Sequence, residues 1–163
     1  MMQKNTPEKT GQMRAAIAAL RGVLGDALLA VYLHGSAVMA GLRPQSDIDL
    51  LAVVDRGISD EQRRCLLTAL LHISARHPAT PGGPRSVEVM VFRQSDLLEV
   101  SFPARVEFTY GEWLRDKFEA GATPTPNRDP EYTLVLAPAL TRRPFSRNIL
   151  ILRSTVRRFT PNL

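Results

Sequence analysis

Apolar residues recur along this chain in two rhythms, one of three or four and one of two, and the switches between them outline an alternation of helices and strands. Met13, Ile17, Leu20 and Leu24 share one helical face. Thr6-Pro7-Glu8 supplies a cap, a first-turn proline and an early acid for that helix, and Gly25-Asp26 ends it. Residues 27–33 form an apolar run that predicts a buried strand leading into Gly35-Ser36, and 36–40 predict the first turn of a short helix. A second buried strand is predicted over 48–54. Ser59-Asp60-Glu61-Gln62 is a capping box opening a helix with Leu66, Leu67, Leu70 and Leu71 on its core side, ending near Arg76.

Residues 77–84, with three prolines and two glycines, read as a loop. Residues 86–92 predict a third strand in which Val87, Val89 and Val91 alternate with Glu88 and Met90. A short helix over 94–100, an edge strand over 106–110, a helix from Gly111-Glu112-Trp113 to Gly121, a linker over 123–127 and a helix start at 129–131 follow. The pattern predicts an α/β fold, a mixed sheet flanked by helices.

The chain has 163 residues, which suits one ordinary domain, and 44% of them are hydrophobic, enough for a core. No stretch approaches the roughly 20 apolar residues of a membrane-spanning helix, and the N-terminus lacks an apolar signal region. Cys65 is the only cysteine, which excludes an internal disulfide and a thiolate-rich metal site; it is expected to be a small buried hydrophobe. A cytoplasmic location is the expectation. The net charge of +5 is an end effect: residues 1–131 hold 15 Lys/Arg against all 16 Asp/Glu, whereas 132–163 hold six arginines and no acid. Without interleaved aromatics or a reading module, that basic end predicts no specific nucleic-acid partner. After residue 140 prolines interrupt the text and the period is lost. Residues 149–152 are apolar enough for a short strand, and 141–163 are expected to form a poorly ordered, Arg-rich tail beyond a domain spanning 1–140.

The candidate chemistry lies in His34-Gly35-Ser36 and, ten residues on, Ser46-Asp47-Ile48-Asp49-Leu50. A Gly-Ser turn lets backbone N–H groups and a hydroxyl approach phosphate closely. Two acids at i and i+2 of a strand point to one face and can share divalent cations, while Ile48 and Leu50 point into the core. Acids so placed beside an apolar strand are costly without a cation. Glu88, alone, suits a solvent-facing strand position; on a strand beside Asp49 it is a third carboxylate for the metal or a general base. His34 fits a phosphate contact or a strand end equally. His72 and His77 are expected to be ordinary helix and loop positions. Trp113, by its own physics, belongs in the core, with a ligand-facing role as the alternative. The constellation reads as a site for nucleotidyl transfer.

These residues resemble the polymerase-β-like nucleotidyltransferase superfamily. The fuller text of Tyr32-Leu33-His34-Gly35-Ser36-Ala37-Val38, Gly41-Leu42-Arg43-Pro44, Val87-Glu88-Val89 and Gly111-Glu112-Trp113 is similar to the aminoglycoside 3''-adenylyltransferases, the streptomycin and spectinomycin resistance enzymes, over residues 10–140. The resemblance implies AMP transfer from ATP, with Mg2+, to a hydroxyl of the antibiotic. Asp47 and Asp49 match the family's metal ligands, joined by Glu88, which also matches its catalytic base. Gly35 and Ser36 match the phosphate contacts, and Trp113 matches an aromatic lining the antibiotic site. Family members continue into a helical C-terminal domain that this chain, ending at Leu163, is expected to lack, so reduced activity is expected. The loss of acids where the likeness ends is what a shifted reading frame would produce. The alternatives are a non-catalytic remnant that binds MgATP, or a minimal nucleotidyltransferase acting on a protein or RNA.

Overall fold

The computed structural model describes residues 7–34, 47–98, 101–132 and 150–151. Helix α1 (Pro7–Leu24) precedes β1 (Leu28–His34) and β2 (Ile48–Val54); α2 (Asp60–Ile73) then crosses to β3 (Val87–Arg93). After these come α3 (Gln94–Leu98), β4 (Ala104–Val106), β5 (Phe108–Tyr110), a 3-10 turn (Glu112–Leu114), α4 (Arg115–Glu119), β6 (Asn127–Asp129) and β7 (Leu150–Ile151). The main sheet has the order β5-β3-β2-β1-β7, and β4 pairs with β6 in a separate ribbon. Among the described strands only β2 and β3 run parallel, in the register Ile48–Val87, Asp49–Glu88, Leu50–Val89; β1, β5 and β7 pair antiparallel. A parallel pair needs a long crossover, which α2 supplies.

The alternation of two decides which side chains meet. Ile48, Leu50, Ala52 and Val54 of β2, with Val87, Val89 and Val91 of β3, pack against Ile17, Leu20 and Leu24 of α1 and Leu66, Leu67 and Leu70 of α2. The opposite face buries Leu51, Val53, Met90 and Phe92 beneath Ala104 and Val106. Asp49 and Glu88 begin this second face.

The capping box forms as expected: the Gln62 N–H donates to Ser59 Oγ at 3.1 Å and the Ser59 N–H to Gln62 Oε1 at 2.9 Å. Gln12 clamps α1 to the frame, donating from Nε2 to the carbonyls of Ile73 (2.9 Å) and Arg85 (2.6 Å) and accepting from the Arg85 N–H (2.9 Å).

Four expectations need correction. Residues 106–110 do not make one strand, because the chain breaks at Glu107 into β4 and β5 of different sheets. The Glu107 carboxylate is 1% exposed and turns into Arg63 (3.1 Å), Arg93 (2.6 Å) and Arg105 (2.6 Å). Residue 127, taken as linker, pairs with Val106 at the start of β6. Helix α2 stops at Ile73, short of Arg76, because Ser74 turns extended. Cys65 is exposed, since the helical period sends its neighbours Leu66 and Leu67 inward. The apolar 149–152 segment contributes β7, which pairs with Tyr32 and Leu33; the rest of 141–163 lies outside the described residues, as does the helix expected at 36–40.

Removing the Glu107 carboxylate leaves the buried Arg63 guanidinium, and the partly exposed Arg93 and Arg105, without their shared anion. Glu107→Ala is expected to cost about 3–5 kcal/mol, measured by urea unfolding, whereas loss of the exposed Arg56–Asp26 pair (2.5 Å) costs under about 1 kcal/mol.

Candidate active site

Three strands bring the candidate residues together. In register, β1 places His34 opposite Asp49 and β3 places Glu88 on its other side. Adjacent strands lie about 4.8 Å apart, so Asp49 and Glu88 stand side by side at the mouth of the sheet's second face. Asp47 precedes β2 by one residue, two positions from Asp49 and on the same side. Gly35 and Ser36 lie outside the described residues, in the connection that leaves β1 immediately after His34.

The electrostatics of this corner are unusual. Burial, then the neighbouring Asp47, pushes the Asp49 carboxyl up from 3.8 to about 6. Burial, then Asp49 and Asp47, pushes Glu88 up from 4.5 to about 7. Among the described residues neither the Asp49 nor the Glu88 carboxylate has a hydrogen-bond or ion-pair partner. Glu107, at the other end of β3, is also buried, yet hydrogen bonds and charge from Arg93 and Arg105 outweigh that burial and hold its carboxyl below the ordinary value. The buried carboxylate of Glu107 has its cations built in; the half-buried pair does not.

As the side chains lie, no three His, Cys, Asp or Glu among the described residues converge into a ready cation cage. The donor chemistry nonetheless fits a hard divalent cation: carboxylate oxygens, half-buried, whose mutual repulsion a cation would relieve. Asp47 and Asp49 are the nearer pair in sequence and Glu88 the third oxygen donor on the same face.

Two residues near Asp47 escaped sequence reasoning. His77, expected to be an ordinary loop position, places Nδ1 at 4.0 Å from Asp47 Oδ1. Arg85 is 3% exposed and close enough for Asp47 to favour its charged form against burial. Neither stands in a recognisable motif; the only available signal was that both flank the loop entering β3. His72 is an ordinary helix position, its Nδ1 2.7 Å from the Thr68 carbonyl oxygen.

Trp113 is 62% exposed, so the core-packing expectation fails. Its 3-10 turn follows β5, where Tyr110 pairs with Val89. Tyr110 belongs to the helix-side core, so the next position, Gly111, faces the side of Asp49 and Glu88, and one further step of the antiparallel register brings it level with Glu88.

Residues 24–98 match the family model of the polymerase beta nucleotidyltransferase domain. The mixed sheet with its flanking helices is the fold of the polymerase-β-like nucleotidyltransferase family. Within it, the chain is similar to a spectinomycin 9-adenylyltransferase of Campylobacter jejuni, 37% identical over 81% of this chain and 50% of the relative. It is similar to an aminoglycoside (3'') (9) adenylyltransferase of Shigella flexneri, at 36% identity over the same shares. The crystal structure of spectinomycin adenyltransferase AAD(9) from Enterococcus faecalis with ATP and spectinomycin superposes with a TM-score of 0.78 at 26% identity, over 91% of this chain and 57% of that one. The chain thus spans about half the length of the curated relatives it matches.

The raised carboxyls make stability depend on pH. Their folded-state values of about 6 and 7 exceed their ordinary values of 3.8 and 4.5, so their repulsion is absent below pH 4 and grows as pH rises through 7. In metal-free buffer Glu88→Gln is expected to stabilise the protein at pH 8 by about 1–2 kcal/mol after solvent screening, with no gain at pH 4. Urea unfolding at the two pH values in EDTA checks this. Mg2+ is expected to raise the wild-type melting temperature at pH 8 but not that of Asp47→Ala/Asp49→Ala.

Proposed function

We propose that this chain transfers AMP from ATP to a hydroxyl of an aminoglycoside or aminocyclitol antibiotic, spectinomycin or streptomycin, with residues 1–140 as the nucleotidyltransferase unit. The observation that carries this reading is the level pairing of Asp49 and Glu88 on adjacent strands, with Asp47 beside them and no cation among the described neighbours of Asp49 and Glu88. The names of the relatives supply the substrate class.

Asp47 and Asp49, with Glu88 as a third oxygen donor, are the residues that would hold Mg2+. When bound, Mg2+ supplies neutralisation of the triphosphate and of the charge developing on the leaving pyrophosphate. Gly35 and Ser36, in the turn after β1, are read as contacts to the phosphates of ATP. Glu88 takes the proton of the attacking hydroxyl as its oxygen bonds to the α-phosphorus and the bond to the bridging oxygen breaks, releasing pyrophosphate. Trp113 offers an exposed ring on the side of Glu88 where an antibiotic can rest, and the acidic corner favours a cationic one.

Pyrophosphate release by the full chain with ATP and Mg2+, with and without each antibiotic, tests the proposal. Antibiotic-dependent release is expected, abolished in Asp47→Ala/Asp49→Ala and lowered about 10²–10⁴-fold in kcat by Glu88→Gln. Binding of nucleotide without antibiotic-dependent release, by a protein folded by circular dichroism, would overturn the reading in favour of a non-catalytic remnant.

A further inference from the structure

The sequence Gly111-Glu112-Trp113 holds a close contact that composition does not reveal. A Cβ built on Gly111 would stand 2.1, 2.3 and 2.6 Å from Cζ3, Cη2 and Cε3 of the Trp113 indole. Those distances lie far inside van der Waals contact, so the ring occupies the space that a side chain at 111 would fill. The backbone of Gly111 is ordinary extended chain, φ −163° and ψ 156°, a conformation open to any residue. What bars a side chain at 111 is the ring where it lies, not the torsions.

The backbone turn that carries the ring is anchored from behind. Glu112 is buried, 5% exposed at its side chain. It accepts hydrogen bonds from Ser74 Oγ (2.5 Å), Tyr110 OH (2.8 Å) and Arg115 Nε (2.6 Å) and Nη2 (2.9 Å). Arg115 Nη2 donates in turn to the carbonyls of Leu71 (3.2 Å) and Ser74 (2.9 Å) at the end of α2. Ser74 Oγ accepts from the N–H of Val87 (2.9 Å), the residue before Glu88. Two hydrogen bonds therefore connect the turn carrying Trp113 to the strand carrying Glu88. Burial alone would raise the Glu112 carboxyl, but the bonds from Arg115, Ser74 and Tyr110 hold it below its usual value, so the anchor is an ionised carboxylate at neutral pH.

We infer that Gly111 is the positioning residue of Trp113: the missing side chain is the seat on which the indole lies, level with Glu88, while the Glu112–Ser74–Arg115 network fixes the turn that carries it. The inference rests on the proposed function for its consequence, that the seated ring is the platform for the antibiotic. The seat itself is independent of that reading. A turn so held presents the flat apolar face of the ring at reduced entropic cost, because its backbone is fixed before a ligand arrives.

Trp113 is the only tryptophan, so its fluorescence reports the seat without any ligand. Gly111→Ala in the full chain is expected to shift the emission maximum and to change acrylamide quenching, with the melting temperature altered by only a few degrees. An emission and quenching profile identical to wild type would overturn the inference. Spectinomycin and streptomycin are then titrated calorimetrically in the presence of Mg2+ and a non-transferable ATP analogue. Gly111→Ala is expected to weaken antibiotic binding at least tenfold and to leave affinity for the ATP analogue unchanged. The cycle with Trp113→Ala separates a seat from a general defect: Gly111→Ala/Trp113→Ala should bind antibiotic no worse than Trp113→Ala alone. Additive losses would overturn the inference.

Should Gly111→Ala fail to fold, the double variant, in which the added methyl has room, is expected to fold; its failure too would overturn the seat. If Trp113→Ala leaves antibiotic affinity unchanged while the emission shift in Gly111→Ala is present, the seat stands and the antibiotic platform falls.

Discussion

Everything in this site depends on the parallel pairing of β2 with β3, which sets Asp49 level with Glu88. Because side chains alternate across a strand, this register puts Ile48, Leu50, Val87 and Val89 under the helices and both acids on the other face. A slip of one residue on either strand would send a carboxylate into the hydrocarbon of α1 and α2 and expose a valine or leucine in exchange. The core therefore enforces the register, and the register enforces the proximity of the acids. The cost of holding two carboxylates together in a half-buried corner is borne by the apolar packing behind them.

The molecule handles buried and half-buried carboxylates in two ways, at three places. Glu107 sits among Arg63, Arg93 and Arg105 and stays ionised. Glu112 sits among Ser74, Tyr110 and Arg115 and does the same. Asp49 and Glu88 have no such partners among the described residues, and both hold their protons more tightly than usual. The first two are structural rivets, one closing the end of β3 beneath the β4–β6 ribbon, the other tying α2, β3 and the Trp113 turn together. The contrast with the third marks the corner where charge has to come from outside the described chain, as a proton or as a cation.

Much of the fold was legible because its signals are local. The strand over 48–54, the capping box at Ser59 and the helical stop at Gly121, whose φ is +101°, each depend on a few neighbouring residues. The break at Glu107 was not legible, since it depends on Arg63 and Arg93, 44 and 14 residues before it. Nor was the exposure of Trp113: an aromatic at helical spacing belongs in a core unless the strand before it has already used the inward-facing position, as Tyr110 does. His77 and Arg85 approach Asp47 only because the loop between α2 and β3 returns across the start of β2, where the Ile48 N–H donates to the Ser86 carbonyl at 2.9 Å.

By itself the sequence determined the alternation of elements, the side of each strand that would be buried and the chemical types brought to the site, because hydrophobic period and local capping are written in adjacent residues. Only the tertiary structure decided that Asp49 and Glu88 are level, that Glu107 splits a strand, and that Trp113 rests on the bare face of Gly111. Those are contacts between residues distant in the chain or turned about a backbone corner, and their geometry exists only once strands pair and the core closes behind them.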